Sequence, residues 1–164
     1  MSNESSAKPL IIRIATSDDL THIERLDSLS TSPTRDIHRD MEKYFGSIDP
    51  STHERTLIFL GTLLGVVVAK AELMLPAQET IHPVGYIKRV VVDPTYRKQG
   101  LARQLMQHIV TFAQTEQHLV ALDLHTWEHN TSAIRLYETL GFELQHRELY
   151  FRLTLEDSIY PHDL

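Results

Sequence analysis

The chain has 164 residues, no cysteine, and a formal net charge of −6 from 16 Lys and Arg against 22 Asp and Glu. Without cysteine there is no disulfide framework, no thiolate metal cage and no thiol nucleophile. The negative charge argues against a nucleic-acid binder, which needs a basic face for phosphates, and suits a cationic acceptor better.

With 41% hydrophobic residues the chain can bury one sizeable core. A single domain is therefore expected over residues 11–155, with a flexible lead-in at 1–10 and a tail at 156–164. The lead-in, MSNESSAKPL, is polar and lacks the apolar centre of a signal peptide, so a cytoplasmic setting is expected. The longest apolar run, 57–69, is broken by Gly61, Thr62 and Gly65 and is too short for a span of ~20 residues, so no membrane partner is expected.

In chain order, residues 11–15 read as a strand, and TSDDL supplies caps for a helix whose apolar side carries Leu20, Ile23 and Leu26. A second helix is expected over 35–45, after Pro33. Two β-rich runs, 57–60 and 64–73, meet at GTLLG, a hairpin signal, and 76–82 is a polar loop. Residues 86–92 form the next strand, followed by an amphipathic helix on Leu101, Leu105, Ile109 and Phe112. A strand over 120–126, a helix over 131–139 closed by Gly141, and two strands at 142–144 and 148–155 complete the order βααβββαβαββ. That order implies a mixed α/β sheet of about seven strands covered on both faces by about four helices.

Two segments carry chemistry. In VDPTYRKQGLA, residues 92–102, Asp93 and Pro94 make a turn and Gly100 opens a helix. With no Cβ there, an anion can approach the free amides at the positive end of the helix, and Arg97 and Lys98 add charge. No Gly-Lys-Ser/Thr follows, so these features describe a diphosphate cradle rather than a nucleotide loop; the alternative reading of the segment alone is a plain strand–turn–helix with glycine at the N-cap. In NTSAIRLYETLGF, residues 130–142, Ala133, Ile134 and Tyr137 share one helix face.

Taken together, Arg97, Gly100 and Ala102 in the first segment and Asn130, Ala133, Tyr137, Gly141 and Phe142 in the second resemble the signatures of the GNAT superfamily of N-acetyltransferases. The likeness spans roughly residues 11–153. It implies a GNAT fold with two parallel strands that splay apart, and acetyl-CoA as cosubstrate lying between them. By the resemblance, the backbone of Val90, Val91 and Val92 pairs with pantetheine, and the amides of Arg97, Lys98, Gln99, Gly100, Leu101 and Ala102 hold the pyrophosphate. Asn130 bonds the pantetheine arm, and the Tyr137 hydroxyl protonates the leaving thiolate.

The acceptor the resemblance implies is an amine of a small molecule or of a protein, which arrives almost wholly charged if its pKa is about 10, so a base is required. Many family members carry a glutamate on the strand equivalent to 86–92, where this chain offers Tyr86 and Lys88. The substitutes are Glu128 and His125 first, then Glu72, Glu79 and His82. Trp127 either walls the acceptor pocket or packs, and Lys88 and Arg89 either steer the anionic cosubstrate or are solvated. His125 and His129 stand four apart, but on a strand end and loop rather than a helix, so no metal is expected. An acyl-CoA-binding module without turnover, another acyl donor such as succinyl-CoA, and a homodimer through the sheet edge or C-terminal strands are the remaining alternatives.

Overall fold

The computed structural model describes residues 9–156. Strand β1 (Ile11–Ile14) leads through a 3₁₀ turn at Ser17–Asp19 into α1 (Leu20–Ser28). The Thr16 hydroxyl and the Asp19 carboxylate cap this entry reciprocally. Asp19 also accepts two bonds of 2.7 Å from Arg13. Those bonds, with the Thr16 amide, bring its carboxyl from 3.8 to about 2 in spite of burial.

The hairpin of β2 (Arg55–Leu63) and β3 (Val66–Leu75) turns on Leu64 and Gly65, with φ of 49° and 81°. Two consecutive left-handed residues are what a tight hairpin with right-twisted strands requires, so β2 runs on to Leu63 instead of stopping at Leu60. Next come β4 (Val84–Val92), α2 (Leu101–Thr115), β5 (Ala121–Leu124) and α3 (Thr131–Thr139). The strands lie in the order β1-β2-β3-β4-β5, antiparallel except for the β4–β5 pair.

Both faces of the sheet are covered. Leu105, Met106 and Ile109 of α2 pack with Phe59, Leu73 and Ile87 on one side. Ile23 and Leu26 of α1 pack with Ile58, Leu60 and Val91 on the other. The mixed α/β class is as the sequence implies, but the described residues hold five strands and three α-helices rather than about seven and four. No helix among them is long and apolar enough to cross a membrane.

Two expected element sets are corrected. The helix over 35–45 is replaced by turns and a 3₁₀ turn at Met41–Lys43, because Arg35 is drawn inward to buried carboxylates and Phe45 takes a left-handed φ of 65°. The segments at 142–144 and 148–155 take no regular secondary structure and have no ladder partner among the described residues. Residues 1–8 and 157–164 of the lead-in and tail lie outside the described residues. Leu10 does not belong to a loose lead-in, for it is buried and its N–H donates to Gln104 Oε1 at 2.9 Å.

Beneath the α1 face lies a closed ring of charge. Lys70 Nζ sits 2.8 Å from Asp27 Oδ1 and 2.9 Å from Glu72 Oε2. Arg35 reaches Asp27 at 3.0 Å and Glu72 at 2.7 Å. Lys70 and Glu72 are fully buried. Burial alone would raise the Glu72 carboxyl, yet Arg35 and Lys70 outweigh it and hold it below the ordinary range. Two cations and two anions cancel, so the ring tolerates its setting only while complete.

Lys70→Met strands Asp27 and Glu72 with one cation between them and should cost about 3–5 kcal/mol in denaturant unfolding. Asp19 titrates at about 2 when folded against 3.8 otherwise, so its stabilising contribution is complete above the higher value and is lost as pH falls toward the lower. Asp19→Asn should flatten that part of the acid-unfolding curve.

Candidate active site

The site begins where a ladder stops. β4 and β5 pair in parallel from Val84↔Ala121 to Ile87↔Leu124, and there β5 ends while β4 continues to Val92. Past Ile87, the backbone groups of β4 that face β5 have no strand to bond among the described residues, which opens a wedge. On the other side of β4, Lys70 pairs with Val91 and Glu72 with Lys88, so Arg89 and Val90 together oppose Ala71. This bulge puts Arg89 at φ 53° and shifts the alternation of side chains. Val90 and Val92 thus join Ile87 on the α2 face, while Val91 packs under α1.

The far end of β4 feeds the cradle. The Asp93 carboxylate accepts from the Thr95 amide at 3.0 Å and from Arg25 of α1 at 2.9 Å, which fixes the turn and lowers its pKa. Gly100 takes φ 73° as the N-cap of α2, and no atom lies within 4 Å of where a Cβ would stand. The first helical bond runs from Gln104 N–H to Gly100 C=O at 3.2 Å, so the amides of Leu101, Ala102 and Arg103 are not consumed by the helix. Arg97, Lys98 and Gln99 are all exposed around this opening. Open space, free amides and a helix dipole fit a diphosphate.

α3 borders the wedge on the α2 face. Tyr137 packs into the same apolar cluster as Val90, Val92 and Leu124, with Phe142 edge-on at 6.0 Å. Burial pushes its phenol above the usual value, so it stays protonated. Asn130 stands at the N-cap of α3 but spends no side-chain hydrogen bond on capping, leaving its amide exposed for a ligand.

On the opposite face, Tyr86 Oη and His125 Nδ1 lie 2.6 Å apart, joining β4 to the residue just past the end of β5. Burial, and then the charge of Asp123, hold the Tyr86 phenol above its usual value. Burial lowers the pKa of Lys88, two residues further along that face. Sequence reasoning listed Tyr86 and His125 separately and missed the pair. The available signal is the parallel register, since Tyr86 faces Asp123 and His125 follows two residues later.

The other candidates are dispersed. Glu128 is exposed and lies 3.3 Å from Arg147. Glu72 is mid-strand, fully buried and bound in the ion ring, so it has no face toward an acceptor. Glu79 and His82 are exposed in the loop before β4. Trp127 is exposed, stacked at 6.3 Å on His129 rather than lining a buried pocket. Arg89 donates to the Pro33 carbonyl at 2.9 Å. No cluster of three metal-binding side chains occurs among the described residues.

Comparison with known proteins agrees with this geometry. Residues 18–142 match the acetyltransferase (GNAT) family. The ribosomal protein bS18-alanine N-acetyltransferase of Escherichia coli K12 is 34% identical over 121 residues, 72% of this chain and 76% of that one. The glucosamine 6-phosphate N-acetyltransferase of Trypanosoma brucei brucei is 28% identical over 85% of this chain and 93% of its own. The NAA20 catalytic subunit of the Arabidopsis thaliana N-terminal acetyltransferase B complex is 31% identical, with the match spanning 53% of its length. In structure, AAC(6')-Iy bound to a CoA bisubstrate analogue superposes with a TM-score of 0.70 at 20% identity, over 89% of this chain and 99% of that one.

The chain belongs to the acetyltransferase (GNAT) family. It is an acetyl-CoA-dependent N-acetyltransferase whose acceptor is an amine.

Proposed function

We propose that the enzyme acetylates the α-amino group of a protein or peptide in the cytoplasm, with Tyr86 and His125 as its proton acceptor and Tyr137 as its proton donor. The observation that carries this reading is the 2.6 Å bond between Tyr86 Oη and His125 Nδ1 at the mouth of the wedge. An α-amine has a pKa near about 8, so a useful fraction is neutral already, and a phenol–imidazole pair suffices where a lysine amine near about 10.4 would call for a stronger base. The E. coli relative, named for a protein alanine, lends further support.

Bound acetyl-CoA supplies an activated thioester. The amides of Arg97, Lys98, Gln99, Gly100, Leu101 and Ala102 hold its diphosphate, the backbone of Val90, Val91 and Val92 pairs with the pantetheine arm, and the Asn130 side chain bonds that arm. Carbonyl charge that develops on attack is met by free amide groups of β4 past the bulge. The Tyr86 hydroxyl accepts the amine proton while passing its own to His125 Nδ1. Tyr137, kept protonated by burial, gives its proton to the departing sulfur on the other face.

Tyr86→Phe and His125→Ala should each lower kcat by about 100-fold or more while leaving coenzyme A affinity unchanged, and the double variant should be little worse than either alone. Full additivity in steady-state kinetics contradicts a shared path. Tyr137→Phe should likewise depress kcat far more than acetyl-CoA affinity; equal losses argue against a donor role. Gly100→Glu should weaken coenzyme A binding by more than about 10-fold in calorimetry, through repulsion and steric block, while Gly100→Asn, which accepts a left-handed φ, should lose less. Peptides with free α-amines should release thiol faster than ε-amine or amino-sugar acceptors. The opposite order overturns the acceptor assignment, and binding without any thiol release would identify a binding module.

A further inference from the structure

We propose that Lys88 sets acceptor specificity: its ammonium holds a carboxylate of the acceptor, so the preferred acceptor is a peptide with Asp or Glu directly after its N-terminal residue. The inference rests on the α-amine reading above and adds the chemistry of the side chain that follows the reacting amine.

Lys88 stands two residues beyond Tyr86 on β4, and strand alternation puts both side chains on the α1 face. Three other cations lie around it, and all three are spent. Arg35 and Lys70 close the ring on Asp27 and Glu72, and Arg89 donates to the Pro33 carbonyl at 2.9 Å. The side chain of Lys88 makes no ion pair or hydrogen bond with a described residue, although the charges of Glu72 and Glu54 reach it. Glu72 is its cross-strand neighbour, but Arg35 already takes Oε1 of that carboxylate at 2.7 Å and Lys70 takes Oε2 at 2.9 Å. The ring is neutral without Lys88.

A half-buried ammonium without a counter-charge is costly, and burial is the main cause that lowers the Lys88 pKa. An anion carried in by the acceptor supplies the missing partner. In this partly desolvated setting such a charge-assisted bond is stronger than on an open surface.

Spacing selects the second residue. Two strand positions separate Lys88 from Tyr86 by about 6.6 Å, and an extended peptide advances about 3.4 Å per residue. With the α-amine at the Tyr86 hydroxyl, the side chain of the second residue comes abreast of Lys88. Asp123, paired in register with Tyr86, is exposed at the amine end. Its charge favours the incoming ammonium and repels a carboxylate, so the acceptor is oriented with nitrogen at Tyr86 and acid at Lys88. The net charge of −6 opposes an acidic acceptor at a distance, so discrimination comes from these local charges rather than from steering.

Thiol release should be measured on matched peptides that carry Glu, Gln or Lys at the second position. The native enzyme should favour Glu over Gln by about 10-fold in kcat/KM, mostly through KM, with Lys poorest. Lys88→Gln should erase the preference for Glu over Gln, Lys88→Arg should keep it, and Lys88→Glu should reverse the order of the Glu and Lys peptides. Coenzyme A affinity in calorimetry checks that each variant is folded. A native enzyme that does not separate Glu from Gln, or a Lys88→Gln variant that slows all three peptides by one factor, overturns the proposal and leaves the α-amine reading standing. No thiol release from any of the peptides overturns both.

Discussion

Parallel pairing between β4 and β5 lasts only from Val84 to Ile87, and the rest of the molecule is arranged around that early stop. A buried strand ordinarily has both edges bonded, because an orphaned amide in a protein interior costs free energy comparable to a lost hydrogen bond. Here β4 continues to Val92 with one edge facing an opening. In the proposed binding mode an extended arm with its own amides would restore the ladder, which would make donor binding a form of strand addition. The bulge at Arg89 re-aims the backbone at that point, and the left-handed φ of a non-glycine residue there is held by neighbours on both sides.

Those neighbours explain why so much charge is buried beneath the sheet. Lys70 Nζ, already between Asp27 and Glu72, lies 3.4 Å from the Arg89 carbonyl. The Arg89 side chain crosses to the Pro33 carbonyl, and Arg35, two residues later, closes the ion ring. A hydrophobic replacement could match the ring in stability but could not hold the bulge carbonyl and the 33–35 segment in one place. Here the charge gives position rather than adhesion.

The glycine turn and the helix that follows it were legible in the sequence because they depend on backbone chemistry with narrow residue requirements. A glycine at φ 73° before a helix leaves few alternatives, and the two motifs sit where the fold puts them. The Tyr86–His125 pair was not legible, because it is assembled from long-range register. Tyr86 and His125 are 39 residues apart and meet only through β4–β5 pairing. Glu72 looked available as a strand-end carboxylate until Arg35 and Lys70, neither carrying a motif, turned out to enclose it. Likewise, 35–45 has turn and cap residues without a strong apolar stripe, and an inward Arg35 decided its path.

The two phenols lie on opposite faces of the sheet, and that separation has a chemical use. Amide formation requires one proton to leave the amine and one to reach sulfur, and a single group doing both would have to cross the reacting carbon. With Tyr86 on the α1 face and Tyr137 on the α2 face, the proposed mechanism would remove and deliver protons from different sides of the wedge. Burial raises both phenols, yet only Tyr86 has an imidazole to receive its proton. Under the proposed mechanism the same desolvation would serve a relay on one face and an acid on the other, and the imidazole of His125 is what distinguishes them.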